Sequence, residues 1–245
     1  ITNSGTITTS GSSGYGIYSN LNSGTETITN SGTITASGSS GMGINSYANS
    51  GTSTITSSGT ITTSGQYGHG MYSYNQASGG TITFANSGTI TTSGASGYGI
   101  YSNANIGTEN ITNSGTITTS GNNGYGMISY NQGSGGTSTF TNSGTITTSG
   151  TYSFGMYFLN NGGTTTITNT SNDTISTSGS SAHGIFVSNN TGTTTITNSG
   201  TIQVTGSDAV GVKMHGGVTF TNSGTISATG SATKAIESTG SSSDT

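Results

Sequence analysis

The chain contains no cysteine, proline, tryptophan or arginine, and only eight of its 245 residues carry a formal charge. Without cysteine there is no disulfide staple and no thiolate metal site. Two lysines and a net charge of -4 leave nothing to neutralise a phosphate backbone, which excludes nucleic acid as a partner. No apolar run approaches the ~20 residues of a spanning helix, so membrane insertion by this segment is not expected. Hydrophobic residues make up 26% and charged residues 3%, too few for one compact core and too few for a self-repelling disordered tail. What the chain has instead is 53 Thr, 45 Ser, 44 Gly and 24 Asn, two-thirds of all residues. A chain of this kind folds by repetition or not at all.

The repetition is explicit. The phrase Ile-Thr-Asn-Ser-Gly-Thr-Ile-Thr recurs, with its first apolar residue at Ile1, Ile28, Ile55, Phe84, Ile111, Phe140, Ile167, Ile196 and Phe220. The gaps are 27, 27, 29, 27, 29, 27, 29 and 24 residues, giving nine copies and no space for a separate globular domain. A second apolar station follows at Ile7, Ile34, Ile61, Ile90, Ile117, Ile146, Ile175, Ile202 and Ile226, and a third after a nearly fixed glycine at Ile17, Ile44, Met71, Ile100, Met127, Met156, Ile185, Val212 and Ile236. Around each station β-branched residues alternate with period two, as in Thr6-Ile7-Thr8, which reads as a strand with one face inward. Ser-Gly and Asn-Ser-Gly segments between stations supply turns. Thr, Ser, Asn and Gly are mediocre to poor helix formers. The predicted fold is all-β: one right-handed, three-sided parallel β-helix over residues 1–245, with nine coils of about 27 residues.

At about 4.8 Å per coil such a rod is roughly 40 Å long, and like residues stack on like. Two positions after the first station stand Asn3, Asn30, Asn86, Asn113, Asn142, Asn169, Asn198 and Asn222, with Ser57 the exception. They share the inward parity of the station and are predicted to form an internal amide ladder. One coil cannot stand alone. Three buried aliphatics contribute about 1.5–3 kcal/mol each, whereas ordering the coil costs at least about 1 kcal/mol per residue. Neighbouring coils must supply the remainder. The chain starts within the repeat phrase and ends in Ser-Ser-Ser-Asp-Thr, which suggests a fragment or processed segment, or a unit that stacks end to end. Charge collects late: Asp208, Lys213, Lys234, Glu237 and Asp244 all follow position 200.

Runs such as ITNSGTITTSGSSGYGIYS at residues 1–19 and FTNSGTISATGSATKAIES at 220–238 resemble the passenger repeats of bacterial autotransporters. The resemblance extends over all nine copies. It implies a β-helical passenger displayed at the cell surface or secreted, acting as an adhesin, a self-associating fibre or a stalk for an effector domain elsewhere. The absence of cysteine agrees with passage through an oxidising periplasm. The C-terminal barrel of that family does not occur within these residues.

Catalytic and metal chemistry have little to work with. Glu26 and Glu109 occupy equivalent positions three coils apart, about 14 Å, too far for a glycosidase pair. Ser207, Asp208 and His215, with Lys213 nearby, lack a nucleophile elbow and read as chance proximity. His69 and His183 share a column with Tyr15, Met42, Tyr98, Tyr125, Phe154 and Val210, so they read as stacked rings, not metal ligands. Gly14-Tyr15-Gly16 and its equivalents precede no helix that could hold a phosphate. No catalytic residue, cofactor site or metal site is therefore expected.

Two surface features remain. The residue after the third station is expected to face outward. That column reads Tyr18, Asn45, Tyr72, Tyr101, Ile128, Tyr157, Phe186 and Lys213; its aromatics Tyr18, Tyr72, Tyr101, Tyr157 and Phe186 form a candidate contact stripe, or merely cover a glycine-rich corner. Thr-x-Thr pairs at the second station, from Thr6/Thr8 to Thr145/Thr147, resemble the ice-binding faces of some antifreeze solenoids. The reading favoured by the sequence is an extracellular or cell-surface structural or adhesive rod. Its expected partners are other copies of itself, lateral or end to end, or host and cell-surface molecules. Ice binding and a passive stalk are the alternatives.

Overall fold

The computed structural model describes residues 1–47, 50–74 and 78–240. Its 27 strands form three nine-stranded sheets in which every pairing is parallel and joins equivalent strands of successive coils. Sheet A takes the first stations, beginning with β1 (Thr2–Asn3); sheet B the second, beginning with β2 (Thr6–Thr9); sheet C the third, beginning with β3 (Tyr15–Asn20). This is the three-sided β-solenoid of about nine coils that the repeat predicts, without helix among the described residues. Asp244 lies outside those residues.

Like residues pair with like because the repeat is in register. Ile61 pairs with Ile90, Ile90 with Ile117 and Ile117 with Ile146 in sheet B; Ile111 pairs with Phe140 and Phe140 with Ile167 in sheet A. The stations of the interior coils line a common axis and are fully or almost fully buried. Those of the end coils are not: Ile1 is 62% and Ile236 47% exposed, because burial comes from the coil on either side.

The corners are built from local bonds that recur in most coils. Between sheets A and B, the Asn two residues after the first station donates to the glycine carbonyl two residues on, as Asn142 Nδ2 does to Gly144 O at 3.1 Å. Between B and C, buried Thr63, Thr92, Thr119, Thr148 and Thr177 each donate to the carbonyl five residues on, at 3.0–3.2 Å. Glycine is needed where coils crowd. A Cβ on Gly155 would lie 2.2 Å from Ile175 Cγ2 and 2.6 Å from the carbonyl of Gly184 in the next coil. That glycine points inward, and so does the station that follows it. The strand's alternation is broken there, and the residues on either side of the pair, three apart, both face out.

Candidate functional site

The interior carries two polar files. The first is the predicted amide ladder, which runs in two segments. Asn3 donates to Asn30 at 2.8 Å, and Asn30 to Ser57 Oγ at 3.2 Å. Asn86, Asn113, Asn142, Asn169, Asn198 and Asn222 then follow one another at 2.7–2.9 Å. The break falls at Ser57, whose hydroxyl is too short to continue the file, and Asn86 Oδ1 has no partner. Within each segment the amides bond to those of the adjacent coils, Asn86 Oδ1 excepted, which accounts for polar groups in a dry core.

The second file was not read from the sequence. At the corner between sheets C and A stand Asn105, Gln132, Asn161 and Asn190, all buried. They face the sheet A column that contains Glu109, Ser138, Thr165 and Thr194, also buried. Glu109 is 1% exposed. Ser138 Oγ donates to Glu109 Oε2, and Asn105 Nδ2 donates to Glu109 Oε1 at 3.4 Å. Burial raises the Glu109 carboxyl from 4.5 to about 7, against the opposing pull of its Ser138, Asn105 and Ser129 hydrogen bonds. Parity would have revealed it, since Glu109 stands two residues before Ile111. Glu26 shares its column three coils away, and among the described residues no second carboxylate bonds to this site.

The outer face of sheet C is aromatic. His69, Tyr98, Tyr125, Phe154 and His183 stack ring on ring with centroids 4.6, 4.8, 5.0 and 4.9 Å apart and planes within 11°. Across the inward Gly-station pair lies the column of Tyr72, Tyr101, Tyr157 and Phe186. Its rings meet the first column edge to face: Tyr98–Tyr101 at 5.0 Å and 87°, Phe154–Phe186 at 5.3 Å and 87°. Two positions further along the strand, Tyr47 and Tyr74 stack at 5.1 Å. The stripe expected from the sequence is thus one column of a broader face, and it is not uniformly outward-exposed. Tyr18 is 47% exposed, Tyr72, Tyr101, Tyr157 and Phe186 are half-buried among neighbouring rings, and Asn45 and Ile128 in the same column are buried.

The two histidines belong to this stack. His69 Nδ1 accepts the Tyr98 backbone N–H at 3.3 Å, and His183 Nδ1 accepts that of Val210 at 3.1 Å. Burial lowers the imidazole of His69 to about 3; burial, with Lys213 nearby, lowers that of His183 to about 4. Burial likewise pushes the phenols of Tyr72 and Tyr98 up to about 12 and raises Tyr101, Tyr125 and Tyr157. Across the physiological range the two imidazoles are unprotonated and these five phenols protonated, so all seven rings are neutral.

Ser207 and Asp208 sit in the corner before the strand Val210–His215, and His215 closes that strand. They are separated by more than about 15 Å of extended chain. Ser207 pairs with Ser180, and the His215 ring packs on Phe186. Lys213 and Lys234 both approach Glu237, at 3.7 and 2.6 Å. Among the described residues no three His, Cys, Asp or Glu side chains converge, and no helix is long and apolar enough to cross a membrane.

On the outside of sheet B, Thr60/Thr62, Thr89/Thr91, Thr116/Thr118 and Thr145/Thr147 pair in strict register. The regularity fades through Ser176, Gln203 and Ser227.

No curated protein and no solved structure matches the chain. The family model described as BigA third pectate lyase-like domain matches residues 1–135 and again 77–171. Together these matches span seven of the nine first stations and more than half of the chain. With its stacked parallel coils, the chain belongs to the BigA third pectate lyase-like domain family.

Proposed function

We propose that this chain is a non-enzymatic, extracellular structural or adhesive rod of the kind carried by bacterial autotransporter passengers, and that its work is contact through the outer face of sheet C. The observation that carries this reading is the placement of tyrosine. All 12 tyrosines lie on sheet C, just before its strands, or, as Tyr67 and Tyr152, in the corner leading into it. Tyrosine combines large apolar area with a polar tip at low entropic cost, the chemistry of a contact surface. Little like-charge repulsion opposes the approach of a cell surface or a neighbouring rod. Among the described residues the ionisable side chains that pair are Lys213 and Lys234 with Glu237, which gives the catalytic alternative no carboxylate pair.

The test is display of the rod on bacterial cells with Tyr72, Tyr101 and Tyr157 changed together to Ser. Adherence and cell aggregation should drop while the β-type circular dichroism spectrum persists. Wild-type adherence in a folded triple variant would remove sheet C from the account. The register of the threonines on sheet B favours a second reading, ice binding, which requires thermal hysteresis in purified material. A passive stalk would show neither activity.

A further inference from the structure

We infer that the sheet C face is a binding platform for a neutral, linear β-linked glycan chain lying along the rod axis. The inference rests on the contact reading above and names the chemistry of the partner.

Four features converge on that ligand. The first is charge: before Asp208, the only charged side chains are Glu26, Glu109 and Asp173. Glu26 and Glu109 lie in sheet A, and Asp173 lies in a corner bonded to Thr170. The outer face of sheet C is therefore uncharged over the first seven coils, and with no cation there it has no means of holding an acidic polymer. The second is spacing. Rings recur every 4.6–5.0 Å along the first column, and Tyr72–Tyr101 and Tyr157–Phe186 are 4.9 and 5.1 Å apart in the second. That interval is close to the advance of one pyranose unit in an extended chain, so successive sugars fall on successive coils.

The third is the pairing of aromatic and polar groups. The rings stack on one another, so a sugar meets the exposed edges and phenol hydroxyls of the half-buried Tyr72, Tyr98, Tyr101, Tyr125 and Tyr157, which offer apolar contact beside polar tips. The sugar's equatorial hydroxyls then need hydrogen-bond partners at the rim. They are present: Asn103 lies beside the hydroxyls of Tyr72 and Tyr101. Along the corner beside sheet C, Asn160 donates to Asn131 at 2.8 Å and Asn189 to Asn160 at 3.2 Å, all exposed to solvent. These three asparagines hold left-handed backbone angles of 51–57°, which sets the amides in one file parallel to the rings. The fourth is rigidity: the rings are already ordered against one another, so little side-chain freedom remains to be lost on binding.

The test is affinity electrophoresis of the purified chain through gels containing hydroxyethylcellulose, xyloglucan or, as an acidic control, polygalacturonate. Retardation by at least one neutral polymer and none by polygalacturonate is expected. The Tyr72→Ser, Tyr101→Ser, Tyr157→Ser variant should lose retardation roughly tenfold, about 1.4 kcal/mol, whereas the corresponding triple Phe variant, which keeps the rings, should retain it. Thr62→Ser with Thr91→Ser on sheet B serves as a folded control and should bind as wild type. Absence of retardation by both neutral polymers, retardation by polygalacturonate alone, or undiminished binding by a folded Ser variant would overturn the inference. Self-association through the same face without polymer binding would also overturn it. If the Ser variant loses cell adherence although the wild type binds neither neutral polymer, the contact reading stands and the glycan fails.

Discussion

Thr165 Oγ1 donates to Gln132 Oε1 at 2.8 Å across two successive coils. Elsewhere at this corner the amide serves its own coil, as Asn190 Oδ1 does in accepting from Thr194 Oγ1 at 2.9 Å. Gln132 is one methylene longer, and its corner, residues 131–136, is two residues longer than most. It therefore reaches the next coil and takes the hydroxyl that Asn161 would otherwise meet. Asn161 is left fully buried with neither amide atom partnered.

An unpaired buried amide costs about 1–3 kcal/mol, and replacing it by an apolar group removes that cost. Asn161→Leu is accordingly expected to leave stability unchanged or raise it, measured by urea denaturation. Asn142→Leu, which orphans Asn113 and Asn169 on either side, should lower it by about 1–3 kcal/mol.

The ladder's break at Ser57 gives a converse case. Asparagine there would accept from Asn30 and donate to the unpartnered Asn86 Oδ1. Ser57→Asn should raise stability by about 0.5–1.5 kcal/mol, while Ser57→Ala should not. Thermal melts of the two variants beside wild type decide the point.

Glu109 and His69 make the rod respond to pH in opposite directions. The carboxyl of Glu109 is raised from 4.5 to about 7 by burial, so the folded state keeps a proton that the unfolded chain has released. Its contribution is complete below about 4.5 and is lost as pH rises to about 7. The imidazole of His69 is lowered from 6.5 to about 3. Its contribution is complete above 6.5 and is lost as pH falls toward 3. Glu109→Gln should raise stability at pH 8 by on the order of 1–3 kcal/mol, little at pH 4, and His69→Phe should flatten the acid limb. Denaturation midpoints between pH 4 and 8 provide the check.

The stations, the register and the ladder were legible in the sequence because each depends only on spacing and on side-chain parity. Ile61, Ile90 and Ile117 had to pair once the period was known, and Asn142 had to share their interior. The aromatic face was half legible. Period-two alternation places Tyr101 outward but puts Tyr98, three residues earlier, on the opposite side. The two share a face because Gly99 and Ile100 both turn inward, a glycine effect that alternation does not contain. Glu109 was legible in principle, two residues before Ile111 and opposite Ile82 of the preceding coil. Its partners were not, since they depend on how far Asn105 and Gln132 reach from corners of unequal length.

The stacking of equivalent residues in adjacent coils is the claim on which every other depends. The absence of native cysteine allows a clean test by paired substitution. Thr62 and Thr91 are direct partners in sheet B, within the Cα separation a disulfide accepts; Thr62 and Thr118 are two coils apart. Under mild oxidation the Thr62→Cys/Thr91→Cys variant should close an intramolecular disulfide in high yield, and Thr62→Cys/Thr118→Cys should not. Equal yields in the two variants, or none in the first, would contradict the coil register.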